Sequence, residues 1–202
     1  MTIWRERQPL VLASQSAVRK SLLVNAGIAV ETIPADIDER GIQQGSGLTD
    51  PGKIAALLAS EKAKFISAKL PGRYVVGADQ TLALGEQLFS KPANRAAAAM
   101  HIKALSGQTH ALHSAVSVAR DGALLFSDMS VARMTMRSLT DREIDGYIEE
   151  AGDAVMSSVG AYQLERTGVH LFERIEGDHF TILGLPLLPL LGFLRGRDLL
   201  AV

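Results

Sequence analysis

Two sets of side chains in this 202-residue chain have the types needed for chemistry on phosphates. One is polar and cationic: Ser14, Ser16, Arg19, Lys20, Lys62 and Lys91. The other is acidic: Asp38, Glu39, Glu61, Asp79 and Glu165. Cations neutralise phosphate oxygens, while carboxylates hold a hard divalent metal or take a proton from water. With oxygen donors dominant and no cysteine in the chain, Mg²⁺ or Mn²⁺ suits these residues better than zinc. The lack of cysteine also removes disulfides and thiolate nucleophiles. No GxxxxGK[ST], GxGxxG or GxSxG run occurs, which argues against a P-loop NTPase, a Rossmann dehydrogenase and a nucleophile-elbow hydrolase. The residues by themselves lead as far as an α/β protein acting on a phosphorylated small molecule.

The elements that must position these groups are legible in outline. Leu10 to Ala13 is an apolar run that reads as a short buried strand, and a helix ending at Gly27 follows the two serines. The turn at Ser14–Ser16 therefore gathers free helix N–H groups, two hydroxyls and Arg19/Lys20, a place for an anion. A serine N-cap with solvated basic neighbours accounts for the same stretch equally well. Asp50-Pro51 opens a helix expected to reach Leu70, with Ile54, Leu58 and Phe65 on its apolar face. Helical spacing turns Glu61 onto that face, with Lys62 at its edge. The alternative is a lysine stem lying along apolar surface with its amine in water. Arg73 to Gly77 reads as a central strand that meets an abrupt acid at Asp79, as at a ligand crevice of an open α/β sheet. Lys91, ahead of Pro92, projects from a strand–helix corner.

The remainder supplies framework. Residues 41–49 are polar and glycine-rich and read as a mobile loop. A helix is expected over about 94–105, then a hairpin of strands on either side of Asp121-Gly122. His110 and His113 fall on opposite faces of its first strand and read as structural or exposed. Thr140-Asp141-Arg142-Glu143 is a capping box, residues 157–166 a loop, and 168–175 a further strand. The apolar stretch Phe180 to Leu194 reads as a buried terminal helix, being too short for a membrane span and broken by Pro186 and Pro189. A net charge of −1 gives no surface for a nucleic acid polymer, and no signal-like run opens the chain, so a cytoplasmic protein is expected.

Several blocks, in order and spread over nearly the whole chain, resemble the Maf family, the septum-formation Maf-like proteins. They are Leu12-Ala13-Ser14-x-Ser16-x-x-Arg19, Asp36-x-Asp38-Glu39, Glu61-Lys62-Ala63, Gly77-x-Asp79, Lys91-Pro92, Ser106-Gly107, Glu173-Arg174-Ile175-Glu176-Gly177 and Gly184-Leu185-Pro186-Leu187. The resemblance implies an elongated α/β mixed-sheet fold similar to inosine triphosphate pyrophosphatases. Residues 1–202 would form one domain of two closely packed lobes with a cleft between them. It implies hydrolysis of a nucleoside triphosphate to the monophosphate and diphosphate with Mg²⁺ or Mn²⁺, keeping modified nucleotides out of nucleic acids. The family's proton-accepting aspartate falls on Asp79, its phosphate-cradling turn on Ser14, Ser16 and Arg19, and its essential lysine on Lys62. A further cleft lysine falls on Lys91, and Glu39 and Glu61 are candidate metal ligands. Gln80 and Glu165 look like the branch acting on 7-methyl-GTP, in which they would contact the base. Val18, a neighbouring substrate position, matches neither that branch nor the thymidine/uridine branch. A homodimer is compatible with the sequence. The alternative is a nucleotide-binding regulator of cell division with little turnover.

Overall fold

The computed structural model describes residues 3–202. Its frame is one mixed sheet of seven strands: β1 (Leu10–Leu12), β2 (Val30–Thr32), β3 (Val75–Leu84), β4 (Gln87–Phe89), β5 (Thr109–Arg120), β6 (Ala123–Met136) and β7 (Phe172–Glu176). The order is β2-β1-β3-β5-β6-β7, with β4 returning against the end of β3. β1 pairs in parallel with β2 and β3, and every other pairing is antiparallel. The parallel part follows from the helical crossovers between those strands, the antiparallel part from the Asp121-Gly122 hairpin.

Strand alternation sorts the core into layers. On one face, Val11, Ala13 and Val75 pack with Ile66 of α3 (Pro51–Ser67). On the other, Leu10, Leu12, Val76 and Ala78 join Leu23 of α1 (Ala17–Asn25) and Leu190 and Leu194 of α7 (Leu187–Gly196). Farther along that second face a separate core gathers Leu82, Leu112, Met134 and Met136. It includes Ile102 of α4 (Arg95–Leu105) and Ile144 of α5 (Asp141–Ala151). Gln80, Ser114 and Thr181 meet between these two cores, the last two fully buried, so a polar seam divides one apolar mass from the other.

Four elements differ from the sequence reading. Residues 41–49 are not a loop: α2 (Glu39–Ser46) occupies most of them, capped by Asp38 on the Gly41 N–H and closed by Gly47 at φ 65°. It buries no residue, so it carries no apolar stripe to reveal it. β3 does not stop at Gly77, because β5 pairs with it from Val75 to Ala83, leaving Asp79 in mid-strand. Residues 167–171 form a 3₁₀ turn, and β7 starts only at Phe172. The apolar terminal stretch is two helices, α6 (His179–Ile182) and α7, separated by a turn in which Gly184 has φ 85°. The capping box at Thr140–Glu143 and the helix over residues 95–105 form as expected.

His110 is a histidine buried against the second core. It is 2% exposed, its Nε2 lies 2.7 Å from the Tyr162 hydroxyl, and burial pulls its pKa down to about 4. The unfolded chain binds this proton near the ordinary histidine value, whereas the folded chain refuses it until about pH 4. Stability contributed by neutral His110 is therefore present above pH 6.5 and lost as pH falls through that window. Relative to His110→Gln, which does not titrate, the wild type is expected to lose about 3 kcal/mol between pH 7.5 and 4.5. Urea unfolding of both proteins at the two pH values checks this; parallel losses would remove His110 as the cause. The comparison is with the variant because Asp79 works in the opposite sense, its burial-raised pKa adding stability as pH falls.

Candidate active site

Gly77 brings the site together. A Cβ there would collide with the Ala59 carbonyl and stand 2.7 Å from the Ala63 amide, so glycine lets α3 lie directly on β3. Ala55, Ala59 and Ala63 supply the small residues on the helix side. Asp79 is two residues beyond Gly77 and shares its face. Lys62 lies on the buried face of α3 and enters the same narrow space.

The result is a buried ion pair with a third member at its rim. Lys62 Nζ donates to Asp79 Oδ1 at 2.6 Å and stands 2.9 Å from Glu39 Oε1. Lys62 and Asp79 are each 8% exposed, while the Glu39 side chain is about half exposed. Burial pushes the Asp79 carboxyl above the usual carboxylate range. The Lys62 ammonium and the Arg19 guanidinium oppose that push, and the Glu39 charge adds to it. Asp79 Oδ2 has no hydrogen-bond partner among the described residues.

Arg19 approaches from the end of β1. Ser16 caps α1 by accepting from the Arg19 N–H, and Ser14 Oγ accepts from the Ser16 N–H at 3.2 Å. The guanidinium donates Nε to Gly184 O at 2.7 Å and Nη1 to Ala78 O at 2.8 Å, with Ser14 Oγ at 3.4 Å. Burial lowers its pKa, and the Asp79 and Glu39 charges act against that. Nη2 keeps no partner among the described residues, so one edge of the fork remains for an anion.

Of the residues named from sequence, Arg19, Ser14, Ser16, Lys62, Asp79 and Glu39 come together. Glu61 does not: the face of α3 is rotated from the expected one, so Lys62 points inward and Glu61 turns out to Lys64 at 2.9 Å. Val18 is half-buried beside the turn, and Lys91 and Glu165 are exposed and have no partner among the described residues. Gln80 lies on the opposite face of β3 from Asp79, its amide donating to Ser114 Oγ and to the Thr181 and Ile182 carbonyls. The Ala78 and Gly184 carbonyls are functional groups that sequence reading missed. A backbone acceptor has no residue type, and the sole signal was the Gly184 glycine itself.

The chemistry of this set suits phosphate esters and anhydrides, and the comparisons agree. A family model described as Maf-like protein matches residues 9–197. The chain belongs to the Maf family. A nucleoside triphosphate pyrophosphatase of Rhodopseudomonas palustris is 63% identical to this Maf chain over 202 residues, covering 100% of both. A 7-methyl-GTP pyrophosphatase of Rhizobium etli is 50% identical over 189 residues, 92% of this chain and 94% of its own. Among solved structures, a HAM1 protein from Coxiella burnetii aligns with 63% of this chain and 72% of its own, with a TM-score of 0.41 and 19% identity.

The acidic residues also bear on a metal. No group of three or more His, Cys, Asp or Glu side chains among the described residues is placed to cage an ion. Mg²⁺ does not need a cage, since one or two carboxylates and the substrate's phosphates commonly hold it. Glu39 and Asp79 share one ammonium and fit that requirement; Glu61, engaged by Lys64, does not.

Proposed function

We propose that this Maf protein hydrolyses a nucleoside triphosphate to the monophosphate and pyrophosphate, with a modified purine nucleotide of the 7-methyl-GTP kind as its preferred substrate. The observation that carries the reaction is the Asp79 carboxylate, buried, held by Lys62 through one oxygen and unbonded at the other. A water placed at Oδ2 gives its proton to Asp79 as its oxygen bonds to the α-phosphorus, and the bond from that phosphorus to the bridging oxygen breaks. Lys62, with Arg19, opposes the push of burial against the ionised form of Asp79. Arg19 Nη2, with the open amides at the start of α1, takes the charge that develops on the departing pyrophosphate. Mg²⁺ or Mn²⁺ held by Glu39 and Asp79 with the phosphates would polarise the reacting phosphoryl group.

The base preference draws on the name of the Rhizobium relative and on Glu165, whose free carboxylate suits the positive charge of a methylated guanine. No helix among the described residues is long and apolar enough to cross a membrane, in keeping with a substrate drawn from aqueous solution. The test is pyrophosphate release with Mg²⁺ or Mn²⁺ across 7-methyl-GTP, GTP, dTTP, UTP, CTP and ITP. Fastest release from 7-methyl-GTP is expected. A pyrimidine preference would overturn the base assignment alone. Nucleotide binding with no release from any member would overturn the enzymatic reading and mark a binding protein.

A further inference from the structure

The strands β1 and β3 carry the catalytic groups toward one end and a cavity at the other. Ser14 follows β1 and Pro9 precedes it; Asp79 lies within β3, whereas Arg73 and Tyr74 precede that strand. The cavity, of about 480 Å³, is walled by the segment from Trp4 to Pro9 and by Gly72, Arg73 and Tyr74. Small-molecule pockets run to about 300–1,000 Å³, so this one has room for more than a water or a single small ion. Its walls hold three guanidinium groups, those of Arg5, Arg7 and Arg73, against the one carboxylate of Glu6. The fully buried Leu10, Val11 and Leu12 stand between it and the Ser14 turn. Extended chain rises about 3.3 Å per residue, so Pro9 and Ser14 are about 16 Å apart and the two places are separate.

These cations are not spent on the protein itself. The Arg73 side chain is 15% exposed, and its Nη2 donates to Pro9 O at 2.8 Å and to Glu31 Oε2 at 2.7 Å. Its Nε is buried and has no acceptor among the described residues. A buried donor left without an acceptor is costly, so such a group marks a place where a ligand or water completes the structure. Arg7 is exposed and has no partner among the described residues. Arg5 reaches Asp198 only at 4.0 Å, with both side chains largely in solvent, a contact worth little. Behind the wall, the Arg120 guanidinium lies over the Tyr74 ring at 4.8 Å and donates to its hydroxyl at 3.2 Å, which orients that phenol. We infer that this cavity is a second anion site, taking a ligand with adjacent phosphoryl groups: inorganic pyrophosphate or the phosphate chain of a nucleotide. Guanidinium forks match phosphate oxygens two at a time, and donors arriving from two separate stretches of chain suit a ligand whose charge is spread over more than one group. The inference is independent of the reaction assigned to Asp79.

The cavity carries its own reporter. Trp4 is the one tryptophan of the chain, lines the cavity and donates its indole N–H to Gln8 O at 2.8 Å. The experiment titrates inorganic pyrophosphate, GTP, guanosine and citrate into the full chain and follows tryptophan emission. It is run in chelator, so that no nucleotide is turned over, and at physiological ionic strength, so that loose surface pairing is screened. Pyrophosphate or GTP is expected to change the emission with a saturable midpoint. Arg19→Ala is expected to leave that midpoint within about 2-fold, because the catalytic turn lies elsewhere. Arg7→Ala is expected to raise it by about 10-fold or more, the loss of one charged hydrogen-bonding partner. Arg73→Lys, which keeps the charge and removes the Nε donor, is expected to raise it as well; Arg7, being exposed and unbonded, gives a variant that does not endanger the fold. A tighter midpoint for pyrophosphate identifies the free anion as the ligand and a tighter one for GTP identifies the nucleotide, and either supports the inference. Emission unmoved by both ligands, a response lost in Arg19→Ala, or a midpoint indifferent to Arg7→Ala and Arg73→Lys would overturn it. So would guanosine acting at the same concentration as GTP, or citrate as tightly as pyrophosphate, since neither carries a phosphoryl group.

Discussion

Asp79→Asn is expected to slow pyrophosphate release by at least ~100-fold while leaving the protein folded. Asparagine keeps the shape and loses the lone pair that takes the water's proton. The expected effect on stability has the opposite sign from the effect on rate. Burial raises the Asp79 pKa, so its ionised form is held at a cost near neutral pH, and the neutral amide removes that cost. Lys62 is not stranded by the change, because Glu39 remains 2.9 Å from its ammonium. The melting temperature of the variant should therefore match or exceed that of the wild type. Measuring rate and melting temperature on one preparation checks both halves. A variant that keeps wild-type turnover, or that loses it only by unfolding, would take Asp79 out of the reaction.

What the sequence revealed and what it hid divide along physical lines. Regular alternation over residues 109–136, with Asp121-Gly122 between, announced β5 and β6 because one face of each is buried. Asp50 and Thr140 each announced a helix because caps are local and chemical. α2 stayed hidden for the converse reason: glycine-bearing, short and without a buried residue, it is marked by one side-chain cap and by the Glu39–Lys62 pair, neither of which leaves a period. The end of β3 was misplaced because Gly77-Ala78-Asp79 looks like a strand terminus to propensity, whereas β5 pairing carries the strand through.

In the site, residue types were legible and directions were not. The separation of Glu61 and Lys62 by one position is 100° on a helix, and an apolar marker set of Ile54, Leu58 and Phe65 is too sparse to fix the rotation. The alanines at 55, 59 and 63 were the better guide. Small residues mark where a helix lies closest to its neighbour, and Lys62 is adjacent to that line. Lys20 illustrates the other limit. Its charge and position match a phosphate-binding turn as well as Arg19 does, yet it is exposed while Arg19 is held by two carbonyls 2.7 and 2.8 Å away. Which of two adjacent cations is built into a site depends on acceptors that come from distant parts of the chain.

Lys62→Met tests the same site from the cationic side, and its expected outcome follows from Asp79 rather than from Lys62. The ammonium is the largest influence holding the Asp79 pKa down against burial. Without it, the carboxylate faces the Glu39 charge with only Arg19 in support. Asp79 then protonates at higher pH than in the wild type, and a protonated Asp79 accepts nothing from water. At neutral pH the rate is expected to fall by about 100-fold or more, through loss of base and of phosphate charge together. The acid limb of the pH–rate profile is expected to move upward, so that raising the pH recovers part of the lost rate in the variant and little in the wild type. Lys62→Arg is not expected to rescue it, because the slot between α3 and β3 is filled by a single ammonium, and a planar fork would displace Asp79 or the alanine-lined helix. Profiles of kcat/KM against pH for the three proteins decide the point. A uniform drop with an unmoved acid limb would mean that Lys62 serves the phosphates alone and that Asp79 is set by Arg19.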